Sequence, residues 1–284
     1  MDSSAFIAAF DRWVEGALDW LGDNAAFLFD FLRLVLDGFY NAVFRLLMLP
    51  PFYVIVLLVG LLAWRLLDRW LALGITLSVA VCAWMGLWPE TMSTLALVIT
   101  ATVIALMVSL PLGVLAGLVP WLDRILMPAL DLIQTLPPYI YLLPAIALLG
   151  YGPATALMAT IIVAMPPAVR LTALGIRLTP VEFIELGQAI GAGRWQTFFK
   201  IRLPFAMPSI MAGINQSLMM AFGMVVIAGI VGSGGLGETI YKAIRTLDIA
   251  TSIDAAIAIV ILTMMLDRLT QSTSAGRAKR GDRA

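Results

Sequence analysis

The sequence predicts an all-α integral membrane protein, with about seven transmembrane helices and an amphipathic helix at the N-terminus lying in the membrane interface. Three observations carry that expectation. Of 284 residues, 61% are apolar and only 13% charged, about half the share of an average soluble domain and too few to cover a surface of this size. The mean hydropathy is +0.97. The scarce charges are clustered, leaving apolar stretches near the roughly 20 residues that a helix needs to cross a hydrocarbon core of about 30 Å.

Composition also excludes several chemistries. The formal net charge is zero, histidine is absent and cysteine occurs once. Nothing therefore points to nucleic acid, to His-based acid–base catalysis or to an intrachain disulfide, and neither a catalytic nor a metal site is expected. Cys82 lies in an apolar run and reads as a packing residue. Met1–Asp23 mixes Asp2, Asp11, Arg12, Glu15 and Asp19 with apolar residues, unlike the basic start and unbroken apolar core of a signal peptide.

Residues 1–47 form the N-terminal amphipathic segment. Within it, Ala26–Leu47 holds 13 Leu, Val and Phe residues, together worth about −4 to −8 kcal/mol at a bilayer centre. Asp30, Arg33 and Asp37 cost about 8–10 kcal/mol there. The three charges share one helical face, away from Phe27, Phe31, Leu34 and Val35, so the segment is read as lying in the interface. A spanning helix packed against neighbours is the alternative.

Residues 48–89 supply two peripheral spans, from the uncharged stretches Leu46–Trp64 and Trp70–Pro89. Residues 90–270 form the core, beginning with a span in Thr91–Leu122. Leu132–Val169 is uncharged over 38 residues, about 57 Å as one helix and too long for one crossing. Gly150-Tyr151-Gly152-Pro153 divides it into spans near 130–149 and 153–171. A sixth span falls near 206–230, beginning around Asn215 and Gln216, and a last near 251–267. Residues 271–284 form a basic, polar, disordered tail.

Basic residues orient the chain. Arg65, Arg69, Arg124, Arg170, Arg177, Arg194, Lys200, Arg202, Arg268, Arg277, Lys279, Arg280 and Arg283 fall on one side, against Lys242 and Arg245 on the other. The positive side is the cytoplasm. The C-terminus is thus expected inside and the N-terminus outside.

One connection on the basic side, residues 170–204, is longer than the rest. Thr179-Pro180 has the form of an N-cap and first helical residue, with Glu182 and Glu185 following where the helix dipole favours acids. A short helix over Pro180–Ile190 would end at Gly191-Ala192-Gly193, and Arg194–Lys200 would form a second, with Pro204 kinking the entry to the next span. Apolar Phe183, Ile184, Ile190, Trp195 and Phe198 on such a knob suit a protein contact; a loop resting on the lipid surface is the alternative.

Here the sequence resembles a known family. Glu185-Leu186-Gly187, Gly191 and Ile201-Arg202-Leu203-Pro204 match, in spacing, the permease signature of ATP-binding cassette (ABC) importers, with Leu-Gly where that signature has Ala-Ala after the Glu. Leu130–Pro137, Tyr141–Ala145, Ala164–Pro167, Ala212–Ser217, Met224–Ala228 and Leu266–Gln271 look like the glycine betaine/proline betaine permeases, a group that includes choline carriers. The likeness covers about residues 50–272. It implies a type I ABC importer transmembrane domain in the bacterial inner membrane, working as a homodimer or beside a similar permease. Two cytoplasmic ATPase subunits, which bind ATP and Mg, and a substrate-binding protein would complete it. It also implies that the loop is a coupling helix, with Glu182, Glu185, Gly187, Gly191, Trp195, Ile201, Leu203 and Pro204 as its residues. The chain lacks the G-x-x-x-x-G-K-[ST] phosphate loop, so it hydrolyses no ATP itself.

Gly232-Ser233-Gly234-Gly235-Leu236-Gly237 fits G-x-G-x-x-G but follows a membrane span instead of a strand. It reads as a tight turn, and the resemblance sets Gly234, Gly235, Leu236 and Gly237 in an outer loop facing the binding protein. Gly113-x-x-x-Gly117 suits close helix packing, within the chain or in a dimer. A quaternary ammonium donates no hydrogen bond, so aromatic faces would hold it. Tyr139, Tyr141, Asn215 and Gln216 are candidates for lining the path, with plain packing as the alternative. A self-sufficient secondary transporter or channel is the competing functional class.

Overall fold

The computed structural model describes the backbone of residues 3–281 and the side chains of 11–272 except 14, 17 and 18. The elements are helical: α1 (Ser3–Asn24), α2 (Ala26–Met48), α3 (Phe52–Leu66), α4 (Arg69–Trp84), α5 (Trp88–Leu118), α6 (Pro120–Thr135), α7 (Tyr139–Leu149), α8 (Pro153–Arg177), α9 (Val181–Ala189), α10 (Arg194–Thr197), a π-helical turn (Phe198–Arg202), α11 (Leu203–Ala228), a 3-10 turn (Gly229–Val231), α12 (Gly235–Thr246) and α13 (Ile249–Gly281).

Two diproline breaks shape the chain. At Leu49-Pro50-Pro51 it turns through 93° between α2 and α3, and at Leu136-Pro137-Pro138 through 97° between α6 and α7. Proline supplies no N–H and drives the preceding residue out of the helical region; Leu136 accordingly takes ψ 138. This corrects the single straight span expected over 130–149. With 11 residues, α7 reaches only about 16 Å. Among the described residues, four helical segments, Trp88–Leu118, Pro153–Arg177, Arg194–Val231 and Ile249–Ser272, are each long and apolar enough to cross a membrane, or six if each bent pair counts as one span. The remaining expected span corresponds to α4, which has only 16 residues.

The centre is α8, held between α5 and α11 by small residues. A Cβ on Gly113 would lie 2.6 Å from Thr172 Cβ, and one on Gly117 would lie 2.8 Å from Ile176 Cβ. On the opposite flank, a Cβ on Gly175 would come within 3.0 Å of the Ala206 carbonyl. Lipid tails are as apolar as the helices, so association in a bilayer rests on such close van der Waals contact and on interhelical hydrogen bonds. One of these runs from the Ser217 hydroxyl to the Ala164 carbonyl, at 2.5 Å. The Gly113/Gly117 stripe is therefore spent inside the chain.

Roughly perpendicular to α3, α2 crosses the ends of α5 and α8. Its Tyr40 hydroxyl meets Ser93 Oγ at 2.7 Å, and Asp37 Oδ1 accepts the Ala154 N–H at 2.9 Å. Asp37, costly in hydrocarbon, thus sits at the positive N-terminal end of α8, with Arg33 Nε 3.7 Å away. Asp37→Ala is expected to cost about 1 kcal/mol of stability and Asp37→Asn less, measured by denaturant unfolding of the detergent-solubilised chain.

Three local expectations change. Pro180, not Thr179, is the N-cap of α9, and the Thr179 hydroxyl donates back to the Ile176 carbonyl at 3.0 Å, closing α8. Asn215 and Gln216 lie in the middle of α11 rather than at its start. The C-terminal segment continues α13 as helix to Gly281, so its reading as a disordered tail is overturned to that point; 282–284 lie outside the described residues.

Candidate functional site

The loop between α8 and α11 folds into a small knob with one dry side. α9 ends in a reciprocal cap: the Ala192 N–H donates to the Gly187 carbonyl at 2.8 Å and the Gly191 N–H to that of Gln188 at 3.0 Å. This motif needs a left-handed residue after the helix. Gly191 supplies it at φ +79. The spacing of the remaining motif residues also acquires a cause. Gly187 is buried, and a Cβ there would lie 2.7 Å from Ile201 Cδ1, so Ile201 packs against the bare backbone of α9. Phe183 packs on Phe205 with ring centroids 4.9 Å apart.

The other side faces outward. Glu182 and Glu185 are exposed on α9, as are Leu186 and Ile190. Trp195 is 75% exposed and stacks on Phe199. The knob therefore presents an apolar patch with carboxylates at its edge, the pattern of a protein contact.

The second half of the knob is not a separate helix followed by a kink, as the sequence suggested. Arg194–Val231 is one apolar span of 38 residues, about 57 Å long. The π turn at Phe198–Arg202 absorbs the change: the Leu203 N–H bonds to the Phe198 carbonyl five residues back, and Pro204, which has no N–H, follows directly. Pro204 reads as a kink in sequence because a π turn leaves no signature there.

Ion pairs that the sequence did not reveal fasten α6 to α8 beside the knob. Arg170 Nη2 lies 2.6 Å from Asp131 Oδ1, and Arg177 pairs with Asp123. Another polar cluster joins α11 to α13: Asp267 Oδ1 accepts Asn215 Nδ2 at 3.2 Å and Gln271 Nε2 at 2.7 Å, while Asn215 Oδ1 accepts the Thr270 hydroxyl at 2.8 Å. Two distant sequence stretches, Ala212–Ser217 and Leu266–Gln271, meet here. Asn215→Ala is expected to cost about 1 kcal/mol, with a coupling to Thr270→Val of about 0.6 kcal/mol in a double-mutant cycle.

The four candidate path residues have separate surroundings. Tyr139 lines an apolar cavity of about 230 Å³ between α7 and the 3-10 turn, with Leu143, Ile146 and Ile230. The Tyr141 hydroxyl donates to the Ile133 carbonyl at 2.8 Å, bracing the bend between α6 and α7. Asn215 is engaged with α13, and Gln216 is exposed on α11.

At the far end of α11, the glycine turn is buried instead of facing outward. Gly235, Leu236 and Gly237 are all buried, and the Leu236 N–H donates to Thr94 Oγ1 at 2.8 Å. A Cβ on Gly235, at φ +75, would lie 2.6 Å from that same oxygen. The Gly234 N–H donates to the Glu238 carboxylate at 2.7 Å. Exposed at this end are Gly232, Ile244 on α12, and Leu247 and Ile249 at the corner that follows it. There Asp248 opens α13, and its bonds from the Thr251 hydroxyl and N–H hold its carboxyl below the usual range.

Residues 109–272 match the family described as binding-protein-dependent transport system inner membrane component. The chain is 38% identical over 273 residues to the glycine betaine/proline betaine transport system permease protein ProW of Escherichia coli (strain K12), covering 96% of this chain and 77% of that one. It is 38% identical over 272 residues to the glycine betaine transport system permease protein OpuAB of Bacillus subtilis (strain 168), covering 96% and 95%. The glycine betaine/carnitine transport permease protein GbuB of Listeria monocytogenes is 38% identical over 266 residues, covering 92% and 93%. Inward-facing structures of the MetNI methionine ABC transporter share the fold, with a TM-score of 0.57 at 22% identity over 68% of this chain and 95% of that chain.

Proposed function

This chain belongs to the binding-protein-dependent transport inner membrane components and, within them, to the glycine betaine/proline betaine permeases, and on that premise we propose that it imports a quaternary-ammonium solute such as glycine betaine, proline betaine or choline. It is a multi-pass permease subunit rather than an enzyme. It works with a partner permease, either a second copy or a similar chain, with two cytoplasmic ATPases that bind ATP and Mg, and with a substrate-binding protein. The basic side, with the loop and the C-terminus, faces the cytoplasm; the N-terminus lies outside, with α2 resting in the outer interface.

The observation that carries the mechanism is the continuous helical segment Arg194–Val231, which contains the π turn at Phe198–Arg202. It joins the exposed knob to the glycine turn at the opposite end of the molecule. Closure of two ATPases around ATP displaces the Glu182, Glu185 and Trp195 surface. Gly187 and Ile201 transmit that displacement to the foot of α11, and the rod tilts against α8. Packed helices have discrete arrangements, so a small push becomes a rocking between outward- and inward-facing states. The path runs past the exposed ring of Tyr139, whose face suits a cation without hydrogen-bond donors. The binding protein docks at the corner formed by Gly232 and the end of α12.

Uptake of labelled glycine betaine and choline tests this in proteoliposomes carrying the chain with its ATPase and binding protein. Accumulation is expected with internal ATP and not with a non-hydrolysable analogue. Uptake driven by a proton gradient alone would favour a self-sufficient transporter, a reading that the named relatives do not favour.

A further inference from the structure

A groove of about 450 Å³ runs between α4 and α13, apart from the knob and from the Tyr139 cavity. Its walls are two facing helical stripes of identical spacing, Leu71, Gly74 and Ser78 on α4 and Ile261, Met264 and Arg268 on α13. Each stripe follows i, i+3, i+7, so the trough extends about two turns, or about 10 Å, along both helices. Apolar groups line most of that length.

The ends differ. Ser78 and Ile261 line one end, and Trp70 and Arg268 line the other. Trp70 is 85% exposed and Arg268 is exposed; Arg69, exposed too, precedes Trp70 at the start of α4, and Arg65 is exposed in the last turn of α3. The guanidinium of Arg69 lies 5.9 Å from the Trp64 ring centroid. The carboxylates nearby are Asp68 and Asp267, and Asp267 is already engaged by Asn215 and Gln271. An apolar trough with a net positive, tryptophan-rimmed mouth matches one kind of molecule, which has a long hydrocarbon tail and a negative head. Basic pockets between transmembrane helices bind phospholipid head groups in this way.

We infer that the groove between α4 and α13 binds an anionic phospholipid, with one acyl chain along the two stripes and the phosphate at Arg268. The lipid belongs to the inner leaflet if the proposed orientation holds; the binding itself does not depend on that orientation, nor on the transported solute.

The test uses the full-length chain in mild detergent, with native mass spectrometry after equilibration with phosphatidylglycerol and phosphatidylcholine of the same acyl length. The wild type is expected to retain phosphatidylglycerol about fivefold over phosphatidylcholine, and Arg268→Gln to bring the ratio near parity. Gly74→Leu fills the trough, where a Cβ meets no atom within 4 Å, and should reduce retention of phosphatidylglycerol. Equal retention of the two lipids by the wild type overturns the inference without recourse to any variant. So does an unchanged ratio in Arg268→Gln. A shift of Gly74→Leu from dimer to monomer with lipid retention unchanged also overturns it, by assigning the groove to a second copy of the chain.

Discussion

Replacing Gly191 with valine is expected to abolish ATP-driven uptake, a loss of at least about tenfold, while the chain still inserts and folds. Gly191 sits at φ +79, and a Cβ there would meet no atom within 4 Å, so the obstacle is conformational rather than steric crowding from neighbours. A left-handed backbone costs an L-residue about 1–2 kcal/mol, with a β-branched side chain at the unfavourable end. The chain can escape that cost by unwinding the cap at the end of α9. Both bonds to the Gly187 and Gln188 carbonyls are then lost, and Gly187 no longer seats on Ile201. The exposed knob survives as sequence but not as a rigid body, and force applied to it dissipates before it reaches α11. Gly193→Ala is the internal control: that residue has φ −68 and open space around it, so uptake should stay near wild type. Normal uptake by Gly191→Val in proteoliposomes would remove the loop from the coupling route.

Gly113→Leu is expected to prevent accumulation of folded protein, with a cost of about 3 kcal/mol or more. Overpacking a filled core typically costs 1–3 kcal/mol. Here the first added atom alone would lie 2.6 Å from Thr172 Cβ and 2.8 Å from the Val169 carbonyl. One of these is backbone and cannot rotate away. The helices must separate, which undoes contacts along both α5 and α8. Chemical unfolding in detergent measures the loss. If Gly113→Leu instead folds normally and converts a dimer to a monomer, the glycine stripe serves between chains, and the packing described here is wrong.

Much of this protein was legible because a bilayer imposes strict rules on sequence. Uncharged stretches of sufficient length became α5, α8, α11 and α13, and Gly150-Tyr151-Gly152-Pro153 divided the long apolar run where expected. The loop between α8 and α11 was readable because its determinants are local: a glycine at the helix end, and acids in the first turns. The bend at Pro137-Pro138 is written in the sequence, but the apolar count across 130–149 masks two prolines that set backbone direction.

Other features could not be read from any local pattern. Asp37 was weighed as a cost in hydrocarbon, yet in the fold it meets the N-terminus of α8, from a position 117 residues away in sequence. Asn215 stood as a candidate for the solute path, and packing assigned it to Asp267 and Thr270. The sequence by itself determined the long apolar helices, the knob between α8 and α11 and the family, since those follow from hydropathy, charge and short-range backbone geometry. Tertiary structure alone decided which glycines pack against which helix, which charges find partners, and that the knob and the glycine turn share one helix. Those depend on distances between residues far apart in the chain, and no local rule encodes such distances.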